Sequence, residues 1–130
     1  MTDHLDEDAI ELAHRIFDLA RAGSTVALAD YLGSGIPANL TDPAGNTLLM
    51  LAAYHGHADT VTLLIEAGAD LDRINDRGQS PLAAAVFKNY LPVVERLFAA
   101  GADPRLGTPS AVASAEYFQR ADALRLLTGS

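Results

Sequence analysis

The chain has no cysteine, no tryptophan and a single lysine, Lys88. Without cysteine there is no disulfide scaffold, no thiolate zinc site and no cysteine nucleophile. Basic residues are scarce: nine Lys and Arg stand against 17 Asp and Glu, a formal net charge of −8. Binding to nucleic acid or to an anionic membrane needs Lys and Arg to meet phosphate, so this balance argues against both. Aromatics make up only 6% of the 130 residues. Long apolar runs are missing too. The stretch from Leu48 to Tyr54 falls far short of the roughly 20 apolar residues that span a bilayer. The chain starts acidic, with Asp3, Asp6, Glu7 and Asp8, where a secretory signal would be basic and then apolar. The expectation is a single domain, cytoplasmic and soluble. On that reading the glycosylation pattern Asn39-Leu40-Thr41 is a chance match.

What the chain does have is a repeat. Gly35, Gly68 and Gly101 are spaced 33 apart, as are Gly45 and Gly78, and Gly23 and Gly56. Residues 42–74 laid over 75–107 share nine identities. These are apolar or glycine positions plus one aspartate, among them Leu49/Leu82, Leu64/Leu97 and Asp70/Asp103. A fixed period of this size marks stacked supersecondary units.

Each copy reads the same way locally. Asp42-Pro43-Ala44-Gly45 and Asn75-Asp76-Arg77-Gly78 are turn sequences. Thr47 or Ser80 follows as an N-cap, offering an oxygen to the first helical amides. Pro81 suits the first helical position, where its missing N–H is harmless. The first helices are small and apolar, Leu49 to Ala53 and Leu82 to Val86. Gly56 and Gly23 should end such helices at positive φ, and Asn89 stands at the same place as the next most tolerant residue. Second helices follow, with Val61, Leu64 and Ile65 on one face of the first copy and Val94, Leu97 and Phe98 on that of the second. Gly68 and Gly101 should end them.

These residues resemble the ankyrin-repeat family, through Gly45 to His57, Glu66 to Asp70, Gly78 to Leu82 and Ala100 to Asp103. The likeness covers about residues 16–127. It implies an all-α solenoid of about four helix-turn-helix repeats with short hairpin loops: a cap at 6–41, full repeats at 42–74 and 75–107, and a short closing repeat at 108–130. The acidic, lysine-poor composition resembles small bacterial members. There are departures. Met50 and Ala83 stand where the family usually has histidine, Leu48 replaces the usual proline, and the last repeat is shortened after Asp103. The first repeat lacks a turn motif; Asp6 to Ala22 reads instead as one long helix with Ile10, Ala13, Ile16, Phe17 and Ala20 inward. Atypical ends are expected of a solenoid, whose terminal units pack on one neighbour only.

Chemistry is sparse. The histidines are His4, His14, His55 and His57. His55 and His57 flank Gly56 without the spacing of a zinc pair, and the Gly-His pair is expected to shape the inter-helix turn. Asp70, Asp72 and Asp76 lack the spacing and distal glutamate of a calcium loop, and read as turn residues. No nucleophile elbow or phosphate loop occurs. The expectation is a protein without catalysis, cofactor or metal. Residues 1–20 hold six acids and one arginine, −5 of the net −8, which suits the positive end of a helix dipole.

The resemblance implies a concave face made of turn tips and first helices, binding a protein partner. Positions that differ between copies and point outward are Arg21, Asn46, Tyr54, His55, Asp76, Arg77, Gln79, Phe87 and Lys88. Aromatics and arginine are the residues that dominate binding energy at interfaces. Tyr54 and Phe87, one repeat apart, should lie side by side. Arg21, Arg77 and Lys88 should make this face mildly basic. Self-association through an imperfect cap is the alternative to a monomer, and a metal- or ligand-dependent enzyme using His55 and His57 a remoter one.

Overall fold

The computed structural model describes residues 2–129, with side chains from Glu7 onward; those of Asp3, His4 and Asp6 lie outside the described part. Among the described residues there are eight helices: α1 Thr2–Ala22, α2 Thr25–Gly33, α3 Leu48–Tyr54, α4 Ala58–Glu66, α5 Pro81–Lys88, α6 Leu91–Ala99, α7 Ala111–Tyr117 and α8 Ala121–Thr128. They form four antiparallel pairs stacked in two layers. First helices pack in the order α1, α3, α5, α7, and second helices in the order α2, α4, α6, α8.

The local signals act as expected. Thr47 accepts from the Met50 N–H at 3.1 Å and Ser80 from the Ala83 N–H at 3.0 Å. Ser110 does the same for Ala113 at 3.1 Å. Ser110 lies 30 residues after Ser80, so the last repeat is three residues short of the 33-residue period. The first helices end on positive φ at Gly23 (71°), Gly56 (79°), Asn89 (60°) and Gln119 (56°). The Asn89 expectation holds. Gln119 takes the same role, two residues after α7 ends at Tyr117.

Burial follows position in the stack. Every residue of α3 from Leu48 to Ala53 is buried, and every residue of α5 from Pro81 to Val86. Both helices have a neighbour on either side, and alanines at 52, 53 and 83–85 let the backbones close in. The end helices bury one stripe each: Ile16, Phe17 and Ala20 in α1; Ala111, Ser114 and Ala115 in α7.

Ile10 corrects the sequence reading: it is 54% exposed, not inward. The 21-residue α1 is about 31 Å long, against about 10 Å for α3. Its first turns run past the body of its partner, and an apolar residue there has nothing to pack on.

Short loops are knitted across repeats. The Asp76 N–H donates to the Ala44 carbonyl at 3.0 Å and the Thr108 N–H to the Gly78 carbonyl at 2.9 Å. At the other end of the pairs, the Asn39 side-chain oxygen accepts from the Asp70 N–H at 2.7 Å, and the Asp72 carboxylate from the Asp103 N–H at 2.8 Å. Asp70 and Asp103 in turn close their own loops onto the N–H groups of Asp72 and Arg105. Asp70 and Asp72 therefore act as loop acceptors.

Candidate partner-binding face

Because α3 and α5 are buried almost to their ends, only their last residues and caps reach solvent on the inner side of the stack. Aligning the four pairs on Gly23, Gly56, Asn89 and Gln119 makes this explicit. Two positions before the turn stand Arg21, Tyr54, Phe87 and Tyr117; one position before it stand Ala22, His55, Lys88 and Phe118. None of these positions is acidic, in a chain whose acids outnumber its bases 17 to nine. Tyr117 and Phe118 are functional candidates that sequence reading missed. Their signal was the 30-residue offset, hidden because a 33-residue ruler lands elsewhere.

The position after each turn holds the stack together. His57 reaches back to the previous repeat, where its Nε2–H donates to the Arg21 carbonyl at 2.6 Å. Tyr90 lays its ring over Gly56, and Arg120 donates from Nη2 to the Phe87 carbonyl at 2.8 Å. Glycine at 23 and 56 thus meets two demands. It supplies positive φ, and it leaves space: a Cβ on Gly23 would sit 2.5 Å from His57 Nδ1, and one on Gly56 3.0 Å from the Tyr90 ring.

A groove of about 230 Å³ runs between the turn tips and first helices, floored by Met50 and Leu51. Arg21, Asn46, Tyr54, His55, Arg77 and Gln79 line it, so six of the nine sequence-selected residues meet here. A second concavity of about 200 Å³ lies one repeat further on, between Gln79, Ala83, Phe87 and Phe118. Gln79 borders both.

The selected residues differ in how free they are. Arg21 pairs with Asp18 at 2.8 Å and lies 3.7 Å from Asp42. Asn46 and Gln79 are held by Asn75, whose amide donates to Asn46 at 2.8 Å and to Gln79 at 3.0 Å. Asp76 rides the turn tip with its carboxylate against Gly45. Among the described residues Arg77 and Lys88 make no ion pair. Lys88 holds its ammonium 5.0 Å over the Tyr54 ring, a favourable cation–π placement.

Tyr54 and Phe87 do not pair with each other. Tyr54 meets His55 edge-on at 5.3 Å, and His55 stacks on His57 at 6.3 Å. Phe87 turns the other way and meets Phe118 at 5.0 Å, which meets Tyr117 at 4.9 Å. Lys88 folds back over Tyr54, while Phe87 packs on the shortened last repeat. The His55 imidazole is held below the ordinary histidine range, first by partial burial and then by the positive neighbours His57, Arg21 and Lys88. Among the described residues no group of three His, Asp or Glu is placed to hold a metal ion. No helix among them is long and apolar enough to cross a membrane.

A stack of helix pairs joined by tight turns, with a side-chain-lined inner groove, defines a helical-repeat solenoid. A family model of ankyrin repeats in three copies matches residues 16–107. The chain belongs to the ankyrin-repeat family. It is 51% identical over 67 residues to an ankyrin repeat protein of Pseudomonas aeruginosa, covering 48% of this chain and 39% of that protein. It is 33% identical over 97 residues to serine/threonine-protein kinase 12 of Arabidopsis thaliana, covering 75% of this chain and 21% of the kinase. It is also 33% identical over 94 residues to palmitoyltransferase Hip14 of Drosophila melanogaster, covering 69% of this chain and 15% of that protein. The chain thus spans about two fifths of the bacterial relative and a fifth or less of the two enzymes.

Proposed function

We propose that residues 1–130 act as one non-catalytic interaction unit that binds a protein partner on the concave face. The observation that carries this reading is the contrast within the first helices. α3 and α5 are buried by stacking from Leu48 to Ala53 and from Pro81 to Val86, while the first-helix ends present arginine, lysine and aromatics beside a groove. Such side chains on a rigid frame lose little conformational freedom on binding. Ankyrin repeats are generally protein–protein interaction modules, and relatives with enzyme names match this chain over a small part of their length. A bacterial, cytoplasmic monomer is the setting that fits the reading.

The test is a Tyr54→Ala/Arg77→Ala variant used as bait in its source cell extract. Loss of a partner with an unchanged melting temperature supports the face; undiminished capture rejects it. Self-association is a second reading, favoured by Tyr117 at 81% exposure on the last repeat. Sedimentation across micromolar concentrations decides it, because a constant monomer mass excludes a dimer.

A further inference from the structure

Resting on that reading, we propose that the occupant of the concave face is an extended acidic segment of a protein that carries one apolar anchor. The acids would lie over the α3–α5 turn and helix ends, and the anchor in the Phe87–Phe118 concavity.

The two halves of the strip differ in chemistry. Toward the first repeats it offers Arg77 and Lys88, neither in an ion pair among the described residues, together with the Tyr54 hydroxyl and His55. The nearby carboxylate of Asp42 is 8% exposed and already accepts from the Ala44 and Asn46 N–H groups at 3.0 and 2.9 Å. Asp76 is the one carboxylate left open at the tip. Toward the last repeat the strip turns apolar. Phe87 is 41% and Phe118 36% exposed, yet they frame a concavity rather than a flat surface. Arginine and lysine without ion-pair partners, set beside aromatics in one strip, attract carboxylates. Burial first, then His57, Arg21 and Lys88, lower the His55 value, and an arriving carboxylate would oppose the part due to those charges.

Length follows from the stack. Three steps between neighbouring first helices, at roughly 8–10 Å each, make a strip on the order of 25–30 Å. An extended segment rising roughly 3.3 Å per residue covers it with about eight or nine residues. Nucleic acid shares the negative charge, but its phosphates would need a cation at every step, and the lining of the Phe87–Phe118 concavity holds none.

A phage library of random peptides, long enough to span the strip, tests this against the intact protein. Selected peptides are then synthesised with a fluorescent label and titrated by anisotropy. Enrichment of Asp and Glu beside a single Leu, Met or aromatic supports the proposal. So does at least tenfold weaker binding to Arg77→Glu/Lys88→Glu, several-fold weaker binding at high salt, and several-fold weaker binding to Phe118→Ala. Both variants must keep the wild-type melting temperature; Arg77→Gln/Lys88→Gln replaces the charge reversal if it does not. Neutral or basic peptides lost on Tyr54→Ala would overturn the acidic chemistry and leave the face standing. Acidic peptides indifferent to every substitution would overturn both. So would no enrichment above an unrelated helical protein. Oligothymidylate competing as well as the peptide would overturn the proposal in favour of simple polyanion binding.

Discussion

The second and third helix pairs have the same backbone and end their first helices by different means. At Gly56 the next repeat's Tyr90 lies flat on the turn, and only a residue without Cβ leaves it room. At Asn89, φ is likewise positive, at 60°, but the following repeat supplies Arg120, which reaches the Phe87 carbonyl instead. One site needs conformation and space together; the other needs conformation alone. The difference shows that a glycine in a repeat is chosen by the residue one period later, as much as by its own dihedral angle.

The comparison can be broken most severely at Gly56. Gly56→Ala should lose about 2–5 kcal/mol, combining the left-handed penalty of roughly 1–2 kcal/mol with overpacking of roughly 1–3 kcal/mol. Urea unfolding measures it. Repeating the substitution in a Tyr90→Ala background should recover about 1–2 kcal/mol of that loss, a coupling the double-mutant cycle isolates. Strict additivity would show that Tyr90 does not set the demand for glycine.

The N-caps of the two pairs should behave alike. Thr47 and Ser80 are each 1% exposed and bond the same amide three residues on. Thr47→Ala and Ser80→Ala should each lose about 1–2 kcal/mol, equal within about 0.5 kcal/mol. A large inequality in chemical unfolding would mean that the two repeats share burden unevenly despite matching geometry. Smaller still, Asn89→Gly should change stability by less than about 1 kcal/mol, in contrast to Gly56→Ala.

The finest distinction is in pH. His55 and Lys88 hold equivalent positions, and His55 is lowered first by burial and then by His57, Arg21 and Lys88. Its folded value is depressed, so the unfolded chain binds the proton more readily. Its contribution is full above the unfolded value of about 6.5 and falls as pH drops toward the folded value. His55→Gln should flatten the stability profile below about pH 7, and Lys88→Gln, which removes one of the charges that lower His55, should flatten it in part. An identical slope in His55→Gln and wild type would assign the pH dependence to other groups.

Much of this arrangement was legible in the sequence, for reasons that differ by residue. The period, the caps and the Gly56–Asn89 equivalence follow from backbone demands that few residue types satisfy. Burial of Leu49, Leu64, Leu82 and Leu97 follows from their recurrence. Ile10 was misread because a helical pattern reports which side is apolar, but not how far the partner helix extends. Tyr117 and Phe118 escaped because the last repeat is three residues short, which shifts every later equivalence. The constraint on Asn46 and Gln79 was hidden as well. It depends on Asn75 bridging two turns, and a hydrogen bond between loops leaves no spacing rule. The roles of the remaining face residues rest on partner chemistry, which no intramolecular contact encodes.

The two sets of bonds between neighbouring repeats run in opposite directions. His57 and Arg120 reach toward the N-terminal neighbour, whereas Asn39 and Asp72 hold the N–H of the C-terminal one. The copy at 42–74 therefore carries half of the junction before it, through His57, and half of the junction after it, through Asp72. Arg105 occupies the place of Asp72 one period on and cannot accept such a bond. The forward series of side-chain bonds stops there, and the junction to the last pair keeps the backward bond from Arg120 to the Phe87 carbonyl.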